Sequence, residues 1–121
     1  LKYPPAQCVR PSGIVELAEL VANARLVISP DTGPAHLAAA LRVPVIDLSC
    51  KVFLPSERWM PMAEDVTMIR PKNGCPTCLA RGRCLRPPYP ESTCTESFDL
   101  GEVARAINLA VATPSRESAL V

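Results

Sequence analysis

The arrangement of apolar and polar positions along the chain predicts its helices and strands. In residues 14–21 apolar side chains recur at i, i+3, i+4 and i+7, which predicts an amphipathic helix that begins after Ser12 or Gly13. The apolar stripe consists of Ile14, Leu17, Ala18 and Val21. Glu16 and Glu19 lie off this stripe, so we expect them on a solvated outer face.

Three short apolar runs predict strands. Residues 25–29 contain two adjacent β-branched side chains, and Pro30 is expected to end that strand. Residues 43–48 and 66–69 form the second and third runs. Aromatic residues make up only 4% of the chain, so its core must be built from Val, Ile, Leu and Ala. A parallel α/β sheet is built in this way.

A turn and a helix connect the first two strands. Thr32 and Gly33 make the turn, and Pro34 suits the first helical position, where its missing N–H costs nothing. A strand–helix–strand unit of this length requires a right-handed crossover and parallel pairing. The helix then begins at the carboxyl end of a strand, with unpaired N–H groups and its positive dipole end directed there. This arrangement predicts an anion site, and phosphate is its usual occupant.

The segment that carries this unit resembles a known family signature. Residues 31–41, Asp-Thr-Gly-Pro-Ala-His-Leu-Ala-Ala-Ala-Leu, are followed by Val-Pro-Val at 43–45. This pattern resembles glycosyltransferase family 9, the ADP-heptose:lipopolysaccharide heptosyltransferases. A weaker resemblance, carried by Asp-Thr at 31–32 and Ala-His-Leu-Ala at 35–38, is to the donor loop of protein O-GlcNAc transferases. The resemblance covers roughly residues 12–112 and implies an α/β fold, the Rossmann-like C-terminal half of a GT-B glycosyltransferase.

The resemblance implies a donor-binding site for an ADP-heptose-like sugar nucleotide. Its pyrophosphate would lie on the Gly33 turn and the start of the Pro34 helix, with hydrogen bonds from Thr32 and His36. A carboxylate repels a diphosphate, so Asp31 is expected to accept N–H groups of its own turn, or a ribose or sugar hydroxyl. The alternative to a ligand role for His36 is that it is an ordinary helix residue whose side chain is satisfied by local hydrogen bonds.

The same resemblance implies an inverting transfer whose catalytic base lies on the N-terminal domain of the same enzyme. We therefore expect no catalytic residue in this chain and no activity from it alone. The sequence begins with Leu1 rather than methionine, from which we expect an excised domain. We expect one donor-binding domain over residues 1–121, with a frayed tail at 113–121.

Past the second strand the chain departs from the family pattern. Residues 49–52, Ser-Cys-Lys-Val, stand where the family has Phe-Gly-Pro-Thr, so a glycine turn toward the donor is missing. Lys51 is a candidate donor ligand that supplies a charge instead, and the alternative is an exposed loop lysine. Residues 58–61, Arg-Trp-Met-Pro, again resemble the family. We expect Trp59 to pack in the core rather than to stack on adenine.

A cysteine-rich loop at residues 74–94 predicts a metal site. Its four cysteines follow the spacing C-x2-C-x5-C-x9-C, and four soft ligands suit zinc or iron. They are Cys75, Cys78, Cys84 and Cys94. The alternatives are two disulfides or free thiols, and a cytosolic ADP-sugar enzyme disfavours disulfides. The resemblance implies a similar insertion in many family members, with iron in the autotransporter heptosyltransferase branch. Cys8 and Cys50 are expected to be ordinary thiols.

The net and local charge of the chain limit the classes of binding partner that we expect. The formal net charge is +1, so composition alone indicates neither a nucleic-acid nor a membrane partner. Residues 66–90 are locally basic without an acidic residue, which fits a solvated surface, an anionic acceptor such as a phosphorylated glycolipid, or a protein partner. The basic residues there are Arg70, Lys72, Arg81, Arg83 and Arg86. Without interleaved aromatic residues we expect no nucleic-acid binding.

A last helix is predicted near the end of the chain. Asp99 with Glu102 resembles a capping box, and one apolar face follows it. That face consists of Val103, Ile107 and Ala110. Leu109 and Val111 lie off it and fit packing on another domain.

Two other functions are compatible with the same residues. One is a metal-stabilised interaction or oligomerisation module that uses the cysteine loop. The other is a phosphate-binding α/β domain of a sugar-nucleotide epimerase-like protein. No apolar run reaches transmembrane length. The ADP-sugar donor that the resemblance implies leads us to expect a cytoplasmic enzyme, with peripheral contact at the inner membrane face as one option.

Overall fold

A computed structural model of the chain describes residues 6–49, 60–72 and 97–112. Within these ranges the chain forms an α/β structure of three helices and three strands. The helices are α1 (Ile14–Ala22), α2 (Gly33–Ala40) and α3 (Leu100–Ala112). The strands are β1 (Val27–Pro30), β2 (Val45–Leu48) and β3 (Val66–Ile69). The expected order of elements is therefore present.

The three strands form one parallel sheet in the order β1-β2-β3. Val27 pairs with Val45, and Val45 pairs with Val66. The register therefore aligns the first residues of the three strands. The prediction that Pro30 would end β1 was wrong by one residue, because Pro30 is its last residue and pairs with Leu48. In the described sheet β1 is an edge strand, where a residue without an N–H is tolerated.

One part of the core lies between α2 and one face of the sheet. Alanines of α2 are buried there, with Ala35 and Ala38 both at 0% exposure. Their small side chains let the helix backbone approach the strands closely, so Val45 of β2 is also 1% exposed. The full buried cluster is Val21, Ala35, Ala38, Ala39, Val43 and Val45. The expectation of a core of small aliphatic residues is correct for the described part of the chain.

Helix α1 matches its predicted stripe only in part. Val21 is buried and Leu17 packs against the core cluster, but Ile14 is 68% exposed. Glu16 and Glu19 are exposed as expected. The later turns of α1 pack against the core cluster. Within the described structure, no element covers the apolar side chain of Ile14 in the first turn. An apolar period identifies the side of a helix that faces the core but not how far along the helix the contact extends.

Helix α2 ends in a Schellman motif that contains no glycine. The Val43 N–H donates to the Ala38 carbonyl over 2.9 Å, and the Arg42 N–H donates to the Ala39 carbonyl over 3.0 Å. Arg42 takes the left-handed conformation with φ of 57°, a position that usually carries glycine. The motif turns the chain sharply from α2 into β2.

Side-chain contacts hold both ends of α3. At its start, Asp99 Oδ1 accepts the N–H groups of Gly101 (2.9 Å) and Glu102 (3.3 Å), so Asp99 caps the helix as predicted. Asp99 Oδ2 lies 2.8 Å from the Lys72 ammonium. At the other end, the Arg25 guanidinium donates to the Val111 carbonyl, where a cation also suits the helix dipole.

Candidate functional site

The turn between β1 and α2 lies at the carboxyl edge of the parallel sheet, where α/β folds bind their ligands. Thr32 is the N-cap of α2 with an extended backbone (φ −145°, ψ 173°). Its carbonyl accepts the Ala35 N–H over 3.0 Å, and its side chain makes no capping hydrogen bond. N–H groups of a first helical turn have no acceptor within the helix. Pro34 has no N–H and the Ala35 N–H is already bonded, so the Gly33 N–H is the donor that this end of α2 keeps for a ligand.

Gly33 is the first residue of α2, and Pro34 follows it as the second. Proline was expected at the first position, but either place suits it because N–H groups of the first turn are unpaired anyway. A Cβ atom added at Gly33 would meet no atom within 4 Å among the described residues. The glycine is therefore not required by contacts within that part of the protein. Among the described residues it leaves open space directly at the helix end.

Asp31 and His36, two of the predicted site residues, are brought together. The His36 Nε2 atom lies 3.7 Å from Asp31 Oδ1. The Asp31 side chain is 8% exposed and the His36 side chain 47% exposed. The aspartate thus lies beneath the turn while the imidazole stands at the surface. At this distance a protonated imidazole forms an ion pair with the carboxylate, which offsets negative charge near the helix end.

The Thr32 hydroxyl faces back toward β1. Its Oγ1 donates to the Pro30 carbonyl over 3.0 Å and lies 3.1 Å from Ser29 Oγ. Ser29 Oγ also donates to the Pro30 carbonyl, over 2.8 Å. These contacts replace the capping bond that a threonine at this position usually makes.

Two buried polar residues beside the turn did not figure among the predicted site residues. Ser29 is 6% exposed and Asp47 is 0% exposed. They are register partners in β1 and β2, one residue before the end of each strand. Because side chains alternate along a strand, both face the side of the core cluster. A polar residue near the carboxyl end of an otherwise apolar strand is the signal in the sequence that could have found them.

Comparison with protein-family models gives one decisive match. The model of glycosyltransferase family 9 (heptosyltransferase) matches residues 9–88, more than half of the chain. The chain belongs to glycosyltransferase family 9. Membership implies a sugar-nucleotide donor and an acceptor. The matched range contains the whole β1–α2 turn, so the predicted family is confirmed on the residues that suggested it. Comparisons with curated proteins and with solved structures find no match.

Several predicted site residues of this family 9 chain lie outside the described residues. They are Lys51, Cys75, Cys78, Cys84 and Cys94. The described ranges themselves hold no cluster of His, Cys, Asp or Glu that could bind a metal. Cys8 is exposed and forms no disulfide with any described residue. Helices long and apolar enough to cross a bilayer are absent from residues 6–49, 60–72 and 97–112.

Proposed function

We propose that this family 9 chain is the donor-binding domain of an inverting heptosyltransferase and that it binds an ADP-heptose-like donor at the β1–α2 turn. The observation that carries the proposal is the open space at Gly33, at the start of a helix that begins at the carboxyl edge of a parallel sheet. The Gly33 N–H and the positive helix end favour a phosphate there.

Each residue of the turn has a role in this proposal. The Gly33 N–H donates to the pyrophosphate, and Pro34 sets the direction of the helix start. The Thr32 hydroxyl adds a hydrogen bond from the edge of the turn. His36 adds positive charge when protonated, and Asp31 holds its ring. Asp31 can also accept a hydroxyl of the donor, since carboxylates are strong acceptors.

The transfer itself requires groups beyond these residues. An acceptor hydroxyl attacks the anomeric carbon from the face opposite the diphosphate, and a base takes its proton. The bond from carbon to the diphosphate oxygen breaks, and ADP leaves with the electron pair. We assign that base to an N-terminal domain of the same enzyme in a GT-B arrangement. This chain alone then binds donor without transferring the sugar.

Titration with ADP tests the donor site. The wild-type chain should respond at millimolar ligand, by chemical-shift change or by thermal stabilisation. Gly33→Ala should abolish the response because its methyl group fills the ligand space, whereas the fold should tolerate the added Cβ. Gly13→Ala is the matched control, since Gly13 also has nothing within 4 Å of an added Cβ but lies at the start of α1. An unresponsive wild type would refute the proposal.

A structural metal ion, zinc or iron, is the second part of the proposal. The support for it is the spacing of the four cysteines in residues 74–94 and the tetrahedral preference of such ions. Elemental analysis of freshly purified protein tests it, with Cys8→Ser as the control and Cys75→Ser as the ligand variant. Metal that persists in the ligand variant at wild-type occupancy would contradict the assignment, as would a metal-free protein with free thiols.

The same proposal includes the chemical class of the acceptor and the cellular location of the enzyme. The basic stretch of residues 66–90 supports an anionic acceptor, either a glycolipid such as phosphorylated lipopolysaccharide core or a protein. An enzyme that uses an ADP-sugar would work in the cytoplasm, at the inner membrane face if its acceptor is a lipid.

A further inference from the structure

The two ends of the stretch 73–96 meet at one place in the fold. The Lys72 N–H donates to the Ser97 carbonyl over 3.0 Å, and the Lys72 ammonium lies 2.8 Å from Asp99 Oδ2. One residue directly before the stretch therefore holds two residues that come just after it. We call these three residues the junction. The four cysteines of the proposed metal site all belong to the stretch between its two sides.

The helix that follows the stretch is held by residues outside it. Asp99 caps the first turn of α3 while it pairs with Lys72. At the other end of α3, the Val111 carbonyl accepts a hydrogen bond from Arg25. Between these two ends the helix contacts β3. Contacts among the described residues therefore position α3 at both of its ends.

We propose that the junction of Lys72, Ser97 and Asp99 makes residues 73–96 an accessory segment, which the fold does not need in order to dock α3 on the sheet. Insertions are tolerated where both ends of the inserted chain meet at the surface, because the core contacts on either side stay in place. Lys72 is exposed, so the junction lies at such a surface. Changes at the cysteines then alter the segment without unfolding the rest of the domain.

The position of the junction makes this independence relevant to the donor site. Pro30 pairs with Leu48 and Leu48 pairs with Ile69, so all three strands end at the same edge of the sheet. The chain leaves β1 for the donor turn and β3 for the junction at that one edge, about 10 Å apart across two strand spacings. The inference extends to donor binding, where it rests on the proposed function: the Gly33 turn should bind ADP without residues 73–96.

A shortened chain tests the inference. Residues 73–96 are replaced by a Gly-Ser linker in a shorter and a longer version, so that strain from one linker is recognised. Thermal melts should show a cooperatively folded protein with a midpoint at or above that of the full chain, because a long connection adds to the entropy cost of folding. Failure of both versions to fold, or a lower midpoint in both, would overturn the inference.

The Asp99→Ala variant shows whether the junction forms without the segment. This substitution removes both the ion pair and the helix cap, so it should lower the thermal midpoint equally in the full and the shortened chain. Glu19→Ala removes an exposed carboxylate on α1 and is the control that should lower neither midpoint. No effect of Asp99→Ala in the shortened chain would overturn the inference, because the junction would then depend on residues 73–96.

Titration with ADP separates this inference from the proposed function. Equal responses of the full and the shortened chain would support a donor site that is independent of the segment. A response of the full chain alone would overturn the extension to donor binding. If neither chain responds, the donor site is refuted, and the thermal melts still decide whether the fold needs the segment.

Discussion

The Nε2 atom of His36 lies 3.7 Å from Oδ1 of Asp31, and the aspartate is the more buried of the two side chains. The pair links the end of the turn after β1 to the first half of α2. A carboxylate here would repel a diphosphate on its own. Its position under His36 provides a compensating charge when the imidazole is protonated.

The charge of Asp31 should therefore oppose binding of a ligand that has phosphates but no hydroxyls. Asp31→Asn is expected to raise the affinity for inorganic pyrophosphate about two- to fivefold, because a nearby like charge is removed. Calorimetric titration checks this, with His36→Gln as the matched variant that should not raise the affinity. A fall in pyrophosphate affinity in Asp31→Asn would show that holding His36 is the more important role of this carboxylate.

Arg42 adopts a backbone conformation that suits glycine. Arg42→Gly is expected to stabilise the protein by about 0.5–1 kcal/mol, because it removes the steric cost of φ above zero while it keeps the Schellman hydrogen bonds. The free energy of unfolding from urea titration is the measurement. Arg42→Ala keeps the Cβ atom and should give no such gain. A less stable glycine variant would indicate that the Arg42 side chain makes a stabilising contact.

Ala38 is 0% exposed where α2 packs against the sheet, whereas Ala40 is exposed on the same helix. Ala38→Leu should destabilise the fold by about 1–3 kcal/mol, because added methylene groups force the helix away from the strands. Ala40→Leu introduces the same side chain at the surface and should change stability by less than about 0.5 kcal/mol. Equal effects at the two positions would contradict the close helix–sheet contact.

Asp99 links the stability of α3 to pH. The hydrogen bond from Lys72, followed by the N–H groups of Gly101 and Glu102, holds the pKa of Asp99 below its ordinary value. The unfolded chain thus takes up a proton at higher pH than the folded chain. The stability that Asp99 contributes is present above its ordinary pKa and is lost as pH falls through the lower folded value.

The Asp99→Asn variant tests this linkage. Its thermal midpoint should be lower than that of the wild type at neutral pH and should fall less steeply between about pH 5 and pH 2. Thermal melts across that range are the measurement. Glu19→Gln, an exposed change on α1, should keep the wild-type slope. An Asp99→Asn profile parallel to the wild type would rule out the contribution of this carboxylate.

The local sequence pattern is enough to predict the helices, the strands and the parallel pairing of β1 with β2. Apolar runs predict β1, β2 and β3, and the spacing of Asp99 and Glu102 predicts that Asp99 caps α3. The exposure of Ile14 was not predictable, because the extent of cover on α1 depends on its neighbours. The same holds for the pairing of Ser29 with Asp47, which depends on strand register.

The sequence by itself determined the strand–turn–helix unit and the family, because both depend on residues that are adjacent in the chain. Only the tertiary structure decided which polar groups surround the turn. Asp31 meets His36 through the geometry of a helix start, and Ser29 meets Thr32 through the way the chain leaves β1. Arg25 reaches Val111 from 86 positions away because the path of the chain returns α3 to the sheet. Such contacts depend on packing, which residue order alone does not specify.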